Sequence, residues 1–411
     1  MNLKISRALL ISALAFLAPV LLLVWLFSRE GTLGLFVWHT YRPLFIGIGI
    51  SAFVPAVLLG LAELGRQKAR MGAFFRMASV VAGLMVTLFS GALFAALFFI
   101  STSSATSIPS LNLVNPAAGL MAQDSVQGSA QDNVQGSSPA LRLSFSSDAH
   151  WGKDKSNASA RSAIIASVAN ASPRKDAFFV LGDLTELGMF GSQMRAAAEG
   201  LASGLKGIPV RPLLGNHDGL INGQKHFIDY FFPSSLSSDS DSPFYYSIQA
   251  GPAVIIVLNL TWGTESFTGA QKAWLIKTLD KVESGRPIIV LSHSFFYSSG
   301  YTDEETGMPW YDHADNLHLV EPLLRAKGVD LVISGHNHYM ELLEAHGTTY
   351  AVIGAMGGFP DPESTYKSPA SLWFSRNTFG RLDLDIYQDR LDLRFVDEKG
   401  VVLKEHSVGV N

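Results

Sequence analysis

Five clusters of carboxylate, amide and imidazole side chains stand out in this chain of 411 residues: Asp148-Ala149-His150, Gly182-Asp183, Gly215-Asn216-His217-Asp218, His293, and Gly335-His336-Asn337-His338. Their oxygen and nitrogen donors are hard or borderline and suit Zn, Fe or Mn, and one carboxylate can bridge two cations about 3.5–4 Å apart. Such a pair lowers the pKa of bound water from about 15.7 toward roughly 7, which provides a nucleophile at neutral pH without a nucleophilic side chain. The chain has no cysteine, which excludes thiolate zinc sites, iron-sulfur clusters, disulfides and a cysteine nucleophile. Any metal must therefore rest on His, Asp, Glu or Asn.

Each cluster follows a short apolar run. Residues 141–147, 177–181, 210–214, 288–292 and 329–334 precede the five in turn, and several are apolar at nearly every position, as strands buried on both faces are. A further strand is expected at 254–260. Amphipathic stretches at 160–171, 194–205, 270–282 and 317–326 predict helices. After Tyr339 the pattern is mostly strands, ending in 382–387, 390–396 and 401–406, with the last turn at 398–400. Helices and strands together indicate a layered α/β domain, and residues just beyond strand ends are where such sheets form sites.

The order D-x-H, GD, GNHD, H, GHxH resembles the calcineurin-like metallophosphoesterase family from about Leu141 to Tyr339. The resemblance implies an α/β fold in which a β-sandwich is flanked by helices, over a domain running 141–411. It also implies hydrolysis of a phosphomonoester or phosphodiester by a metal-bound hydroxide on two divalent ions, Mn, Fe or Zn. Carried over motif by motif, Asp148, His150 and His338 would hold the first ion, Asn216, His293 and His336 the second, and Asp183 would bridge them. His217 would donate a proton and contact the phosphate, and Asp218 would orient it. Two cations, two aspartates and a hydroxide leave the centre at about +1, which attracts an anionic ester. A catalytically silent sensor of a phosphorylated ligand is the alternative on the same fold, and the intact ligand set with His217 argues against it.

Two positions depart from relatives. Glu186 stands three residues after Asp183, where purple acid phosphatases carry tyrosine, which disfavours a tyrosine-ligated ferric site. Ser294 follows His293 where many relatives have proline. The aromatics Phe295, Phe296 and Tyr297, with Trp310, Tyr311 and His313 in the insertion 298–316, are candidates for a cap over substrate. Packing is the competing explanation for them.

Composition adds a second solvent. At 48% hydrophobic and 16% charged residues the chain is too apolar for a wholly soluble enzyme. Uncharged runs at 8–27, 44–62 and 77–100 each reach the roughly 20 residues a membrane crossing needs, so three transmembrane helices are expected in a membrane domain 1–100. The first run exceeds the 7–15 apolar residues of a signal peptide, and no small-residue cleavage site follows Phe27. Lys4 and Arg7, and Arg66, Lys68, Arg70 and Arg76 between the second and third runs, place those segments in the cytoplasm and everything after residue 100 outside it. None of the runs holds a charged residue that would mark an ion path, which argues against transport. Residues 101–140 turn to Ser, Ala, Gln, Gly and Asn, with AQDSVQG at 122–128 echoed by AQDNVQG at 130–136, and predict a flexible linker. Beyond residue 100 the chain holds 23 basic and 33 acidic residues, which leaves no basic footprint for nucleic acid. The partners expected are a phosphate ester and the lipid bilayer.

Overall fold

The structure, a computed structural model, describes residues 69–102, 109–121, 138–153, 156–304 and 307–410, with residues 17–24 and isolated positions between 47 and 61. The chain divides into two compact units, Met1–Ser103 and Ser104–Asn411.

In the first unit, helix α1 spans Ala69–Thr102, and its stretch Ala73–Ile100 is long and apolar enough to cross a membrane by length and composition. Phe74, Met77, Val81, Met85, Leu88, Phe89 and Phe99 all lie exposed on it, an apolar surface larger than a free helix in water carries. The hydroxyl of Thr87 donates to the Gly83 carbonyl at 2.8 Å, which satisfies it within the helix. The span expected at 77–100 falls inside α1; those expected at 8–27 and 44–62 lie largely outside the described residues.

The second unit holds two mixed sheets. Its strands are β1 Leu141–Ser146, β2 Ala177–Val180, β3 Val210–Pro212, β4 Tyr246–Ala250, β5 Ala253–Val257, β6 Ile288–Leu291, β7 Tyr301–Thr302, β8 Pro309–Trp310, β9 Leu331–Ser334, β10 Met340–Ala345, β11 Thr348–Ile353, β12 Ser371–Ser375, β13 Gly380–Ile386, β14 Arg390–Asp397 and β15 Val402–Gly409. One sheet has the order β15-β14-β13-β1-β2-β3, the other β12-β10-β11-β9-β6-β5-β4, and β7 with β8 forms a separate hairpin. In the first sheet β1, β2 and β3 run parallel; in the second β5, β6, β9 and β11 do. The rest of each sheet is antiparallel. The helices are α2 Ala158–Ala169, α3 Gly191–Gly204, α4 Asn216–Gly219, α5 Gly223–Phe231, α6 Gly269–Leu279, α7 Ala314–Leu319 and α8 Glu321–Arg325.

Strand alternation explains the layering. Leu143, Phe145, Phe179, Ile255, Ile289 and Ile333 face one central core, while Phe178 and Val180 turn outward to pack with Ile164 of α2, Leu201 of α3 and Phe231 of α5. On the other side Val254, Ile256, Val290 and Val332 meet Leu275 of α6 and Leu324 of α8. Both faces of the parallel strands are thus covered, which is why their sequences are apolar throughout. The β-sandwich flanked by helices expected from the sequence is what forms. The single helix expected at 317–326 is broken at Val320, because Pro322 lacks the N–H that a continuous helix requires.

The linker expectation needs correction over part of its length. Within 101–140, residues 109–121 belong to the folded unit. Leu113 bridges Val210 of β3 and Leu120 bridges Ala250 of β4, so this segment runs between the edge strands of the two sheets. Val114 and Leu120 enter the central core. Two buried apolar side chains and the pairing of two open sheet edges offset the entropy that composition alone says is lost. The repeat at 122–136 lies outside the described residues.

Candidate metal centre

The five clusters meet because they leave the same ends of parallel strands in both sheets. Asp148 and His150 follow β1, Asp183 follows β2, Asn216 opens α4 after β3, His293 follows β6 and His336 follows β9. The turns are tight. Asp148, His150, Asp183 and His336 have φ of 59°, 47°, 49° and 69°, left-handed conformations that cost on the order of 1–3 kcal/mol each for a residue with a side chain. Backbone bonds hold them there: Asp148 N–H donates to the Gly182 carbonyl at 3.1 Å and His150 N–H to the Asp183 carbonyl at 3.0 Å. The glycines of the motifs allow the close approach. A Cβ on Gly182, itself at φ 92°, would stand 2.5 Å from His293 Nδ1, and one on Gly215 would stand 2.1 Å from Asp183 Oδ1.

Two donor groups result. Asp148, His150 and His338 present ligand atoms within 4.8 Å of one another, and so do Asp183, His293 and His336. Asn216 Oδ1 joins the second group, 2.9 Å from His293 Nε2 and 3.0 Å from His336 Nδ1. Asp183 Oδ2 lies between the groups, 3.4 Å from His293 Nε2 and 3.8 Å from His150 Nε2. The imidazoles are oriented by groups that only accept. His293 Nδ1 faces the Leu181 carbonyl at 2.7 Å, His150 Nδ1 faces Glu186 Oε2 at 2.9 Å, and His338 Nδ1 faces the Phe359 carbonyl. Each Nδ1 must therefore carry a proton, so that in the neutral ring, which a metal would require, the lone pair is on Nε2 and aimed inward, the arrangement that fixes metal-binding histidines. Asp148 Oδ1 and His150 Nε2 are buried with no hydrogen-bond partner. Lone pairs facing carboxylate and amide oxygens across about 3 Å suit a cation, so this donor set fits metal ions.

Electrostatics point the same way. Burial disfavours charge on His338, yet Asp361 and Asp148 outweigh it and push the ring up to about 10. His293 is likewise pushed up to about 9, burial being outweighed by Asp183 and Asp148. Burial also opposes charge on Asp183, but His293 and His217 hold it well below the carboxylate range. His336, buried and beside His293, stays well below the usual imidazole range and is neutral. Two buried aspartates thus demand compensating positive charge at their two donor groups.

His217 sits beside the centre, its ring edge-on to that of His150 at 4.5 Å and its Nε2 3.8 Å from Asp183 Oδ2. Its Nδ1 faces the Glu186 carbonyl at 2.8 Å, so that carbonyl orients the ring. The role expected for Asp218 is therefore corrected. Asp218 is fully buried, and its carboxylate accepts from the N–H groups of Leu184, Thr185 and Gly215 at 3.1, 2.9 and 3.1 Å and from the Thr185 hydroxyl at 2.9 Å. It ties the loop of Asp183 to the loop of Asn216 and has no oxygen to spare for an imidazole.

Glu186, which the sequence marks only as a departure from tyrosine, orients His150 and pairs with Lys153 at 3.0 Å. Burial opposes its ionisation, but His150 and His217 hold it down at about 2. Asp361, which no motif signals, accepts from His338 N–H at 2.7 Å. The cap candidates divide. Phe295 and Phe296 are buried in the outer core beneath α6 and α8, as packing requires. Phe295 also stacks on His336 at 5.9 Å, and the half-buried Trp310 stacks on the same ring with centroids 5.1 Å apart.

Residues 141–340 match the calcineurin-like phosphoesterase family. The chain carries a calcineurin-like phosphoesterase domain. Over 161 residues this chain is 29% identical to purple acid phosphatase 18 of Arabidopsis thaliana, covering 36% of its own length and 35% of that protein. It is 24% identical over 237 residues to glideosome-associated protein 50 of Plasmodium falciparum, covering 49% and 57%. A solved structure described as GAP50, the anchor in the inner membrane complex of Plasmodium, shares the fold at TM-score 0.50 and 21% identity, covering 66% of this chain and 89% of that one. Purple acid phosphatase PPD1 from yellow lupin (Lupinus luteus) seeds superposes at TM-score 0.55 with 18% identity, covering 66% and 54%. The chain spans about a third to a little over half of the length of these curated relatives.

Proposed function

We propose that this chain is a membrane-anchored phosphohydrolase that cleaves a phosphomonoester or phosphodiester outside the cytoplasm. The observation that supports the reading is the pair of donor groups, in which His150, His293 and His338 are tied at Nδ1 and turn Nε2 inward while His336 turns its Nδ1 toward Asn216 and His293. Asp148, His150 and His338 would hold one divalent ion, Asn216, His293 and His336 the other, and Asp183 would serve both. When bound, the ions supply Lewis acidity toward the phosphoryl group and a nucleophile at neutral pH. Asp148 and Asp183 set the charge of the site, and Glu186 and the Leu181 and Phe359 carbonyls keep the rings in register; His217, whose ring burial pushes down to about 4 against the pull of Asp183, protonates the departing oxygen only once the anionic ester beside it raises that value. An alkoxide is a poor leaving group, and such a proton contributes about 10² to 10⁴ in rate.

Membrane anchoring rests on α1 and on the charge-free runs before it, and the outward placement on the Lys and Arg residues at 66–76. A carboxyl-terminal phosphatase reporter that is silent, with a cytoplasmic reporter active at the same point, would reverse that topology. The activity is tested on the full chain in detergent with Mn, Fe or Zn, against alkyl and nitrophenyl phosphates. His217→Ala is expected to keep its metals and to lose about 10² or more on the alkyl ester. It should lose much less on nitrophenolate, which departs without a proton. An equal loss on both esters removes His217 from the proton-donor role, and no hydrolysis by the parent chain sinks the enzyme reading. That last result would favour a catalytically silent anchor, the reading that the Plasmodium relative's description suggests for this chain.

A further inference from the structure

Two tryptophans flank the second donor group. Trp262 meets the His336 ring edge-on at 5.5 Å, Trp310 stacks on the same ring at 5.1 Å, and the two indoles lie 5.9 Å apart. Both are half-buried. They come from separate loops, each tied to a neighbour of a candidate ligand. The Ser294 hydroxyl, next to His293, donates to the Trp262 carbonyl at 3.0 Å, and Asn337, between His336 and His338, donates to the Trp310 carbonyl at 3.2 Å. Tyr301 extends the wall by stacking on Trp310 at 6.4 Å across the hairpin of β7 and β8. Phe295 stacks on His336 at 5.9 Å from the outer core, so these rings form one connected aromatic wall that starts in the core and ends at the half-buried indoles beside the donor group.

We infer that Trp262 and Trp310 form a subsite for the organic part of the phosphate ester, and that this part is a planar aromatic group, aryl or nucleobase. The inference rests on reading the donor groups as a phosphate-ester site. Indole surface beside a cationic centre offers every planar group a partner while small alkyl groups gain little, and aromatic stacking changes affinity by about tenfold or more. The wall lies at the His336 end; at the His338 end the Phe359 carbonyl faces His338 Nδ1.

Phosphonates test this because their carbon-phosphorus bond lets binding be read without turnover. Titration calorimetry on the full chain in detergent with Mn or Zn compares phenylphosphonate, a nucleoside 5′-phosphonate, methylphosphonate and inorganic phosphate. The parent chain is expected to prefer at least one aromatic phosphonate over methylphosphonate by about tenfold. Trp262→Ala should weaken the aromatic ligand about tenfold more than methylphosphonate, Trp310→Leu should act in the same direction, and Leu372→Ala, at an exposed position, should keep the preference. Equal affinity for aromatic and methyl ligands, loss of all ligands together in Trp262→Ala, or a preference that disappears with Leu372 would each overturn the subsite. Phosphate binding without aromatic preference defeats this inference alone; absence of phosphate binding defeats the function proposed above as well.

Discussion

Replacing Gly215 with alanine puts a methyl carbon 2.1 Å from Oδ1 and 2.2 Å from the backbone nitrogen of Asp183. Non-bonded heavy atoms rest near 3.5 Å, so one side must give by more than about 1 Å. Asp183 cannot retreat cheaply. Its Oδ1 holds the His217 N–H at 2.9 Å, its carbonyl holds the His150 N–H at 3.0 Å, and its φ of 49° already lies in the left-handed region. Sites of this kind tolerate roughly 0.5 Å of displacement, and a misplacement near 1 Å costs about 10² in rate. Gly215→Ala is therefore expected to lose metal at both positions, to slow hydrolysis by at least about 10², and to lose only about 1–3 kcal/mol of stability from overpacking. Gly269, the first residue of α6, is the control, since a Cβ there meets nothing within 4 Å. Gly269→Ala should change neither metal content nor rate. Elemental analysis after dialysis, hydrolysis assays and a thermal melt read the three quantities separately. Two metals per chain and the parental rate in Gly215→Ala would refute the claim that this glycine is dictated by Asp183.

Asp183→Ala should deplete metal at both positions and His338→Ala chiefly at one, read as metal per chain by elemental analysis. Asp218→Ala leaves three buried N–H groups and the Thr185 hydroxyl without their acceptor, at about 1–3 kcal/mol each, so a thermal transition lowered by at least about 3 kcal/mol of stability is expected. An unshifted transition with a changed ratio of alkyl to nitrophenyl rates would restore Asp218 to the orienting role. Asp383, held by Lys175 at 3.1 Å, Arg381 at 3.0 Å and the Ser144 hydroxyl at 2.6 Å, has its pKa lowered, because these partners outweigh a burial that would raise it. A depressed carboxylate stabilises above its unfolded pKa of about 3.9 and loses that contribution as pH falls through the lower folded value. Asp383→Asn should thus cost about 3–5 kcal/mol near neutral pH and progressively less below about pH 4, by melts across pH, and a pH-independent difference would contradict the ion-pair account.

The parallel strands are legible in the sequence because burial on both faces writes itself as unbroken apolar runs, and β1, β2, β6 and β9 lie within or close to those runs. The expectations omit α5 and β4. In α5 the buried side chains are His226, Phe227, Tyr230 and Phe231, ring side chains that signal helix weakly, interleaved with polar Lys225 and Asp229. In β4 the residues alternate so that Gln249 is exposed between buried Ile248 and Ala250, a pattern too short to separate from a loop. The segment 109–121 escapes for a different reason. Its composition is that of a tether, and only the open edges of β3 and β4, formed by residues far along the chain, give it something to pair with.

The seven candidate ligands are readable because each lies just beyond the end of a strand, with a glycine directly before Asp183, Asn216 and His336, so chain order already encodes proximity to one sheet end. What holds those ligands is hidden, since it comes from backbone carbonyls and from residues distant in sequence. The carbonyls of Leu181, Glu186 and Phe359 orient His293, His217 and His338, and a carbonyl has no residue type to recognise. Asp218 shows the converse. Its place beside His217 in the chain suggests a catalytic pair, but successive residues opening a helix point about 100° apart. The carboxylate therefore turns back onto Leu184 and Thr185 while the imidazole turns toward His150. Adjacency in a motif identifies residues that share a loop; which of them share a proton depends on the direction each side chain leaves the backbone, and here that direction brings the His217 ring to the candidate ligand His150 and ties the Asp218 carboxylate to the backbone around it.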